Sequence, residues 1–275
     1  MRLLFAYAGA VAFALVSAGP VSAQTIPGKN LTVDIEVAAA SMRGDTTRLT
    51  YLLTNRPTSA EVLFQFTVDA PAPATLIFRP EPRADWYADR AFIGRSVAAW
   101  VVLNRQMGPG TTSPGLSFDA VGLAGLVDSW VRGNVPLEMV EEAVDDSVDT
   151  LPPPPIPDLY ALSIKTTTVG VSPIPSGATT AALLTRLDSL THRTCNDLAW
   201  ISSASVCTTL DSHLGSASTA VAANDNGGAR TALSAFVSDL DRGRFPPTGT
   251  PTLSGSAYWL LRTNATFILG RIPAP

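Results

Sequence analysis

The 275-residue sequence contains few of the residues that most often carry chemistry. It has two cysteines and two histidines, and only 15% of its residues are charged. It has no Gly-x-Ser-x-Gly elbow, no His-Glu-x-x-His helix and no phosphate-binding glycine loop. Asp211 is badly placed to orient His213 in a Ser-His-Asp site, because residues two apart on a helix face different directions. We therefore expect no catalytic residue and no cofactor, and a protein that is not an enzyme.

Basic residues are also scarce. The chain carries 19 lysines and arginines against 23 aspartates and glutamates, a formal net charge of −4. Nucleic acids and anionic membranes are bound through basic patches that replace counterions, so we expect neither as the main partner. Long apolar runs are missing beyond the N-terminus. Residues 256–269 are apolar, but Arg262 and Asn264 interrupt them, and the stretch is too short to span a bilayer.

Residues 1–23 are predicted to be a secretory signal peptide. Arg2 precedes an apolar core at residues 3–16, and residues 21–23 form a small-x-small cleavage step. The core is too short for a spanning helix, and no cysteine follows the cleavage step to carry a lipid. Loss of Arg2 leaves 18 basic and 23 acidic residues, a net charge of −5. We expect a mature protein without a membrane span, either secreted or held in the periplasm or cell envelope.

Residues 24–137 are predicted to form an antiparallel β-sandwich domain. Apolar and polar residues alternate with period two at residues 31–37 and 61–68, which is typical of half-buried strands. A polar turn containing Pro57 separates such runs, and no amphipathic helix interrupts them. Short strands with regular turn signals favour a sandwich. Further strands are predicted at residues 48–53, 96–103 and 116–121.

Trp86 and Tyr87 are the candidate ligand-binding residues of this domain. They follow Asp85 in a loop-like stretch, and aromatic rings on a loop can stack on sugar rings. The alternative is structural: Trp86 would lie in the core with Trp100 and Trp130, since large aromatic residues contribute much of the buried area of such a domain. The structural interpretation is favoured, and Trp86 is the best candidate for exposure.

Residues 138–177 are predicted to be a linker. Six acids without a base lie between Glu138 and Asp149, and four successive prolines follow at residues 152–155. Proline runs favour an extended polyproline helix, and a run of like charges repels itself. The alternative, a calcium site, lacks the acid spacing and the turn glycine of an EF-hand loop. Residues 158–165 resemble a short strand, and the sequence does not show which domain it packs on.

Residues 178–275 are predicted to be a small four-helix bundle, because the apolar period changes here to 3.6. Breakers at residues 224–228 and 243–251 separate helices that each carry one apolar stripe. We expect these faces to be buried only against one another. The stripes are Leu183, Leu187 and Leu190; Leu210, Leu214, Ala217 and Val221; Ala229, Leu233, Phe236 and Leu240; and Ala257, Leu260, Leu261 and Ile268. The predicted fold class is thus an all-β domain followed by an all-α domain.

Three successive helices of this stretch share the pattern of a known family. The pattern consists of Leu210, Leu214 and Ala217 in one helix, an Asn226-Gly227 turn, then Ala229, Leu233, Ala235, Phe236, Val237 and Leu240, and finally Ala257, Leu260 and Leu261. In these residues the stretch resembles the FIMAH module of secreted and surface-associated bacterial proteins. The resemblance implies a non-catalytic appendage, and it transfers no active site because the matching residues are packing positions. The pair of cysteines is not required by this pattern.

Cys195 and Cys207 are the only cysteines, and an even count in an exported chain predicts a disulfide. The loop between them is long enough to join the ends of two antiparallel helices. The alternative is a Cys2His2 zinc site with His192 and His213. Its spacing matches no familiar zinc pattern, and export favours oxidised sulfur over thiolate ligands. We therefore favour the disulfide and predict no metal site.

These features predict an exported, non-catalytic binding or accessory protein of the cell envelope or extracellular space. Its partner would be an extracellular protein or a glycan. The alternative hypothesis is a secreted hydrolase of the glycosidase type, whose two carboxylates the sequence does not single out. An exposed aromatic cluster would favour binding, whereas two carboxylates about 5 to 10 Å apart in a cleft would favour glycoside hydrolysis.

Overall fold

The structure is a computed structural model that describes residues 30–70, 74–75, 86–88, 97–102, 107–134 and 163–274. The predicted signal peptide at residues 1–23 and the acidic and proline-rich run at residues 138–157 lie outside the described residues. In the described part of the chain, two antiparallel sheets are followed by four helices. The prediction of a β region followed by an α region is therefore confirmed.

Nine strands are described, and all their pairings are antiparallel. They are β1 Val33–Arg43, β2 Thr46–Asn55, β3 Val62–Asp69, β4 Ala74–Thr75, β5 Trp86–Ala88, β6 Val97–Val102, β7 Leu116–Val121, β8 Leu123–Asn134 and β9 Ile164–Ser172. The first sheet has the order β1-β2-β7-β4, and the second has the order β5-β6-β3-β8-β9. Gly122 alone joins β7 to β8 and takes the chain from one sheet to the other. Its φ is +142°, and a Cβ there would overlap the carbonyl of Ser172, so the position requires glycine.

Aromatic rings from both sheets meet around Tyr51 of β2. Its ring stacks on Phe118 of β7 with centroids 6.1 Å apart and meets Phe66 of β3 edge-on at 5.3 Å. The Tyr51 hydroxyl donates a hydrogen bond of 2.7 Å to the carbonyl oxygen of Val169 on β9. The apolar faces of the two sheets therefore share one buried region, and a buried hydroxyl that finds a partner in it costs little free energy.

Strand β9 lies within residues 138–177, the range that the sequence analysis assigned to a linker. It pairs with β8 along its whole length, from Leu123 opposite Ser172 to Val131 opposite Ile164. Residues 168–171 are buried, so this part of the segment belongs to the second sheet.

Four helices follow β9. They are α1 Thr180–His192, α2 Ala204–Ala222, α3 Asn226–Arg244 and α4 Gly255–Arg271, and a π-helical turn, Arg193–Asp197, extends α1. Each begins after a residue whose side chain accepts a hydrogen bond from the backbone N–H three positions on, which satisfies one free donor of the first turn. These capping residues are Thr179, Ser203, Asp225 and Ser254.

The apolar stripes predicted for the first three helices are buried, apart from Val221, which is half-buried. The predicted turn at Asn226-Gly227 is wrong by a few residues. The turn lies at residues 223–225, where Asn224 has a φ of +57°, and α3 already begins at Asn226. The cause is Asp225, whose carboxylate accepts a 2.9 Å hydrogen bond from the N–H of Gly228 and starts the helix ahead of the glycines.

Helix α4 differs from the other three because it is buried on most sides. Ten of its 17 residues are buried, and it packs on α1, α3, β1 and β8. The side-chain amide of Asn264 donates a 2.9 Å hydrogen bond to the carbonyl of Ala124 on β8. The expectation that the helices bury their faces only against one another is therefore wrong for α4. Buried residues of the sheets and the helices form one continuous hydrophobic cluster, because β1 and β8 offer α4 a second apolar surface.

Candidate binding groove between strand β1 and helix α4

A groove of about 370 Å³ runs between the end of β1 and the second half of α4. Its strand wall is formed by residues 40–42 and Gly44. Its helix wall is formed by Trp259, Arg262, Thr263, Thr266, Phe267, Gly270 and Arg271. Because β1 is the outer strand of the first sheet, one backbone edge of residues 40–42 has no partner strand in the described part of the chain. We call this region the β1 groove.

The beginning of α4 covers an earlier part of the same strand, residues 36–38, which we call the covered segment. The N–H of Val37 donates a 3.1 Å hydrogen bond to the Ser256 hydroxyl, and the Trp259 indole N–H donates one of 2.9 Å to the carbonyl of Ala38. Side chains of α4 thus take the place of a neighbouring strand here. Such partners are needed because unpaired backbone groups at a buried edge are costly.

Glu36 also ties the covered segment to the helices. One of its carboxylate oxygens, Oε1, accepts hydrogen bonds from the N–H of Gly255 at 3.0 Å and from the Arg244 guanidinium at 2.9 Å. A carboxylate at the first turn of α4 is also favoured by the partial positive charge of a helix N-terminus. The contact brings the chain of α4 so close that it requires a glycine at position 255, where a Cβ would lie 2.6 Å from the carbonyl oxygen of Val37.

A β-bulge separates the covered segment from the groove. The register of β1 against β2 shifts between Val37 and Ala39, so Ala38 is an extra residue. A bulge bends its strand and increases the local twist. Beyond it, β1 keeps pairing with β2 as far as Arg43, opposite Thr46. Residues 40–42, which we call the uncovered segment, are therefore held in strand conformation with one edge open to the groove.

The lining of the β1 groove contains two arginines and no carboxylate. One of them, Arg262, is ion-paired with Asp241 outside the lining, so the positive charge of the groove comes mainly from Arg271. The guanidinium of Arg271 lies 4.6 Å from the centroid of the Phe267 ring, a cation–π distance that holds it over the groove. Arg262 donates a 3.0 Å hydrogen bond to Asp241 on α3, outside the lining. Asp241 also accepts a 2.7 Å hydrogen bond from the hydroxyl of Tyr258.

Tyr258 helps to fix the position of Arg262. Burial of its hydroxyl, together with the hydrogen bond to Asp241, raises the pKa of Tyr258 to about 12. The phenol therefore stays protonated and keeps donating to Asp241 at any physiological pH. Arg262 in turn lies over the Tyr258 ring at 5.9 Å. Aromatic contacts and hydrogen bonds thus restrain both groove arginines, so binding would cost less side-chain entropy than at a free surface.

The candidate residues from the sequence analysis lie elsewhere. Trp86 is on β5 of the second sheet and is only 7% exposed, within the hydrophobic cluster, so its ring offers little surface for stacking. Tyr87 pairs with Val101 in the same sheet, and its side chain lies outside what the structure describes. Trp100 is buried and Trp130 half-buried. These positions agree with the structural interpretation of Trp86.

The two cysteines are joined in a disulfide, with their Cα atoms 6.1 Å apart, as the sequence favoured. The Cys2His2 zinc alternative is therefore contradicted, since both sulfur atoms are oxidised. The histidines are also separated: His213 shares a 2.9 Å hydrogen bond with Asp239 on α3, whereas His192 lies near Asp188 on its own helix.

Sequence reasoning missed the β1 groove for two reasons. The predicted strand ended at residue 37, whereas β1 continues to Arg43. Residues 38–40 are three successive alanines, so the alternation of apolar and polar residues fades there. Arg262 and Arg271 could be recognised only as polar interruptions of an apolar helix. Nothing in one sequence shows that this helix lies beside β1.

The hydrolase alternative requires two carboxylates that face each other in a cleft. The β1 groove and three further hollows formed by described residues each contain at most one carboxylate in their lining. Among the helices that the structure describes, none has the length and apolarity needed to cross a membrane. No known family model matches the chain, and no curated protein is significantly similar to it.

Proposed function

We propose that this is an exported, non-catalytic binding protein that holds an extended, acidic segment of a partner protein in the β1 groove. The observation that carries this proposal is the contrast along the edge of β1. The covered segment is closed by α4, whereas the uncovered segment is held in strand conformation beside a cationic groove. An extended peptide would add to β1 as a further strand.

Strand addition suits this geometry for a physical reason. An open sheet edge presents unpaired N–H and C=O groups, and an extended peptide can satisfy them through its own backbone. The groove is bounded on its other side by α4, so side chains of the peptide would alternate between solvent and the wall formed by Thr266, Phe267 and Gly270. Main-chain hydrogen bonds would supply affinity, and this wall would supply specificity.

The charge of the groove selects an acidic partner. Arg262 and Arg271 carry fork-shaped donors that bind carboxylates. Asp241 occupies only the Nε of Arg262. The carbonyl of Ala178 occupies only one terminal nitrogen, Nη1, of Arg271. A carboxylate that enters the groove meets no like charge in its lining. A glycan would instead need exposed aromatic faces and polar partners, and the indole N–H of Trp259 is already used by Ala38. We therefore favour a protein segment over a glycan.

The finer architecture is part of the same proposal. We infer that the two sheets form a β-sandwich, because Tyr51 of the first sheet and Trp100 of the second meet edge-on at 6.1 Å. We also infer that the helices are a FIMAH-like bundle docked on that sandwich as an accessory unit. The complete burial of Leu210, Leu233 and Phe236 supports this, since these are packing positions of the pattern.

Export is supported by the disulfide between Cys195 and Cys207, because structural disulfides persist mainly in oxidising compartments. We expect the mature chain to begin at Gln24, and mass spectrometry of the exported protein would show it. A mature species that retains residues 3–16 would contradict cleavage.

The groove can be tested with a library of random nine-residue peptides displayed on phage and selected on the mature protein. We expect selected peptides to be extended and acidic. Replacing Gly270 by Leu would fill the groove and weaken binding by roughly tenfold or more. We expect the fold to tolerate this change, because Gly270 is exposed and nothing lies within 4 Å of an added Cβ. The matched control is Gly215→Leu on α2, another open helical glycine, which should leave affinity unchanged.

The mode of binding is tested on the peptide itself. Methylation of alternate backbone nitrogens removes donors to β1, and one of the two alternating patterns should abolish binding while the other leaves it intact. Equal affinity for both methylated peptides would exclude strand addition. If the protein binds glycans but no peptide, the proposed partner is wrong. The same holds if the chain associates with itself through this groove.

A further inference from the structure

A second site lies on the helices, away from the β1 groove. Asp188 and His192 are four residues apart on α1, so they lie on one face of the helix. Asp211 of α2 faces them. One potential ligand atom from each of the three side chains lies within 4.8 Å of the other two. An imidazole and two carboxylates are a donor set that divalent transition metals bind in proteins.

The disulfide holds the two helices together at this point. Cys195 lies in the π-helical turn that follows His192, and Cys207 lies one turn before Asp211. The turn itself is fixed by two buried threonines: Thr191 donates to the carbonyl of Leu187 at 2.9 Å, and Thr194 donates to the carbonyl of Thr191 at 2.9 Å. The three side chains therefore project from a rigid framework, which is what a metal site of defined geometry needs.

Asp211 carries a polar atom without a partner among the described residues. The residue as a whole is half-buried, but its Oδ1 atom is fully shielded and has no hydrogen-bond partner in the described part of the chain. A buried, unpaired carboxylate oxygen is costly unless a donor or a cation satisfies it. The carboxylate belongs to the same cluster as His192, so the cation that would satisfy it has further ligands nearby.

The imidazole of His192 lies near Asp188 without a hydrogen bond between them. Its Nε2 atom lies 3.7 Å from Oδ1 of Asp188, a separation too long for a hydrogen bond. The only other histidine, His213, differs because its Nε2 is engaged with Asp239 at 2.9 Å. Both His192 and Asp188 are about half exposed, at 52% and 47%. Small rotations of these two side chains can therefore bring their ligand atoms to the spacing of roughly 3.3 to 3.6 Å found around a tetrahedral zinc ion.

The geometry points to a metal-binding site formed by Asp188, His192 and Asp211. Its ligand would be a divalent transition metal, for which we take Zn²⁺ as the representative. Zinc is bound by His nitrogen and Asp oxygen at about 2.0 to 2.2 Å and takes four ligands. The protein would supply three of them, which leaves one position for water or for a partner side chain. This site is distinct from the Cys2His2 arrangement considered from the sequence, because the sulfur atoms brace the helices and do not bind the metal.

The test is calorimetric titration of ZnCl2 into the full-length mature protein, prepared without a histidine tag, with its disulfide intact and after removal of metals by chelation. We expect one saturable site. His192→Gln, Asp188→Asn and Asp211→Asn should each weaken binding by about tenfold or more, since each removes one of three ligands. The matched control, His213→Gln, should bind within about twofold of the unchanged protein.

Magnetic resonance of the two imidazoles gives a second readout. Zinc should shift the ring nitrogen signals of His192 and leave those of His213 in place. Both His192 and Asp188 are half exposed, so their variants should fold normally even if a change at Asp211 disturbs packing. The inference is overturned if the protein has no saturable site up to about 1 mM zinc, a weak affinity on any scale. It is also overturned if His192→Gln retains full affinity, or if His213→Gln loses as much as His192→Gln does.

Discussion

The outer edge of β1 contains two segments that are close in sequence but have different surroundings. The covered segment, residues 36–38, gives its backbone groups to Ser256 and Trp259, and its Glu36 side chain binds the start of α4. The uncovered segment, residues 40–42, begins two residues later, across the bulge, and faces an open groove. Exposed sheet edges invite pairing with other chains, and natural proteins usually block them. In β1, the contacts that anchor α4 block the edge at residues 36–38 and leave residues 40–42 open to the groove.

The largest effect is expected where the helix and the covered segment are closest. Gly255→Ala would place a Cβ 2.6 Å from the carbonyl oxygen of Val37 and against the Glu36 side chain. Overpacking of this kind costs about 1 to 3 kcal/mol, and we expect the upper end because one of the atoms belongs to the backbone. Chemical denaturation of the mature protein measures the loss. An unchanged midpoint would mean that α4 does not lie against the covered segment.

The next effect comes from the hydrogen bonds of the covered segment. Ser256→Ala removes the acceptor for the N–H of Val37, which is fully buried. A buried donor without a partner costs about 1 to 3 kcal/mol, less the small gain from burying a methyl group in place of a hydroxyl. We expect a net loss of about 1 to 2 kcal/mol by the same denaturation assay. Ser256→Thr, which keeps a hydroxyl, is the control for chemistry, although it adds a methyl group.

Trp259→Phe tests the carbonyl side of the same segment. It removes the 2.9 Å hydrogen bond to Ala38 but keeps an aromatic ring beside β1. A typical net hydrogen bond contributes about 1 kcal/mol, so we expect a loss of that size. Trp259 also lines the groove, so peptide affinity should change as well. A loss of stability with no change in affinity would show that the groove extends less far than its lining suggests.

The smallest effect, with the opposite sign, is expected beside the uncovered segment. Gly270→Ala adds a Cβ that meets nothing within 4 Å, in a helix where alanine is favoured over glycine. We expect it to stabilise the protein by about 0.5 kcal/mol, the lower end of the mid-helix range, because Gly270 is the penultimate residue of α4. Thermal unfolding of this variant and of Gly255→Ala measures both changes in stability. We expect the two changes to have opposite signs, since one glycine lies beside the covered segment and the other beside the uncovered segment. Destabilisation by both alanines would mean that the second half of α4 is packed as tightly as the first.

Residues whose environment is set by their own element were predicted well. Leu187, Leu233 and Phe236 repeat at helical spacing, and all three are buried. The spacing of apolar residues along a helix shows which of its faces is buried, and it does so without showing which element covers that face. The alternation of Leu49, Tyr51 and Leu53 likewise predicts a buried face of a strand, and all three are fully buried.

Residues whose environment is set by a distant element could not be predicted. Asn264 interrupts an apolar helix, and its role depends on the carbonyl of Ala124, 140 positions away. In the sequence, Ser256 and Trp259 look like ordinary helix residues. Their roles become visible only when β1 is seen beside them. The metal-ligand cluster is an intermediate case. His192 and Asp188 are helical neighbours in the sequence, but Asp211 joins them only because the disulfide and helix packing fix α2 against α1.

Amide hydrogen exchange along β1, measured with and without the tightest acidic peptide from the nine-residue library, tests the central claim most directly. We predict that the amides of the covered segment are protected in the free protein and do not change. The outward-facing amides of the uncovered segment should exchange quickly and become protected when the peptide binds, because it supplies the missing acceptors. Protection that appears in the second sheet, or equal protection of both segments in the free protein, would contradict the assignment of the β1 groove as the binding site.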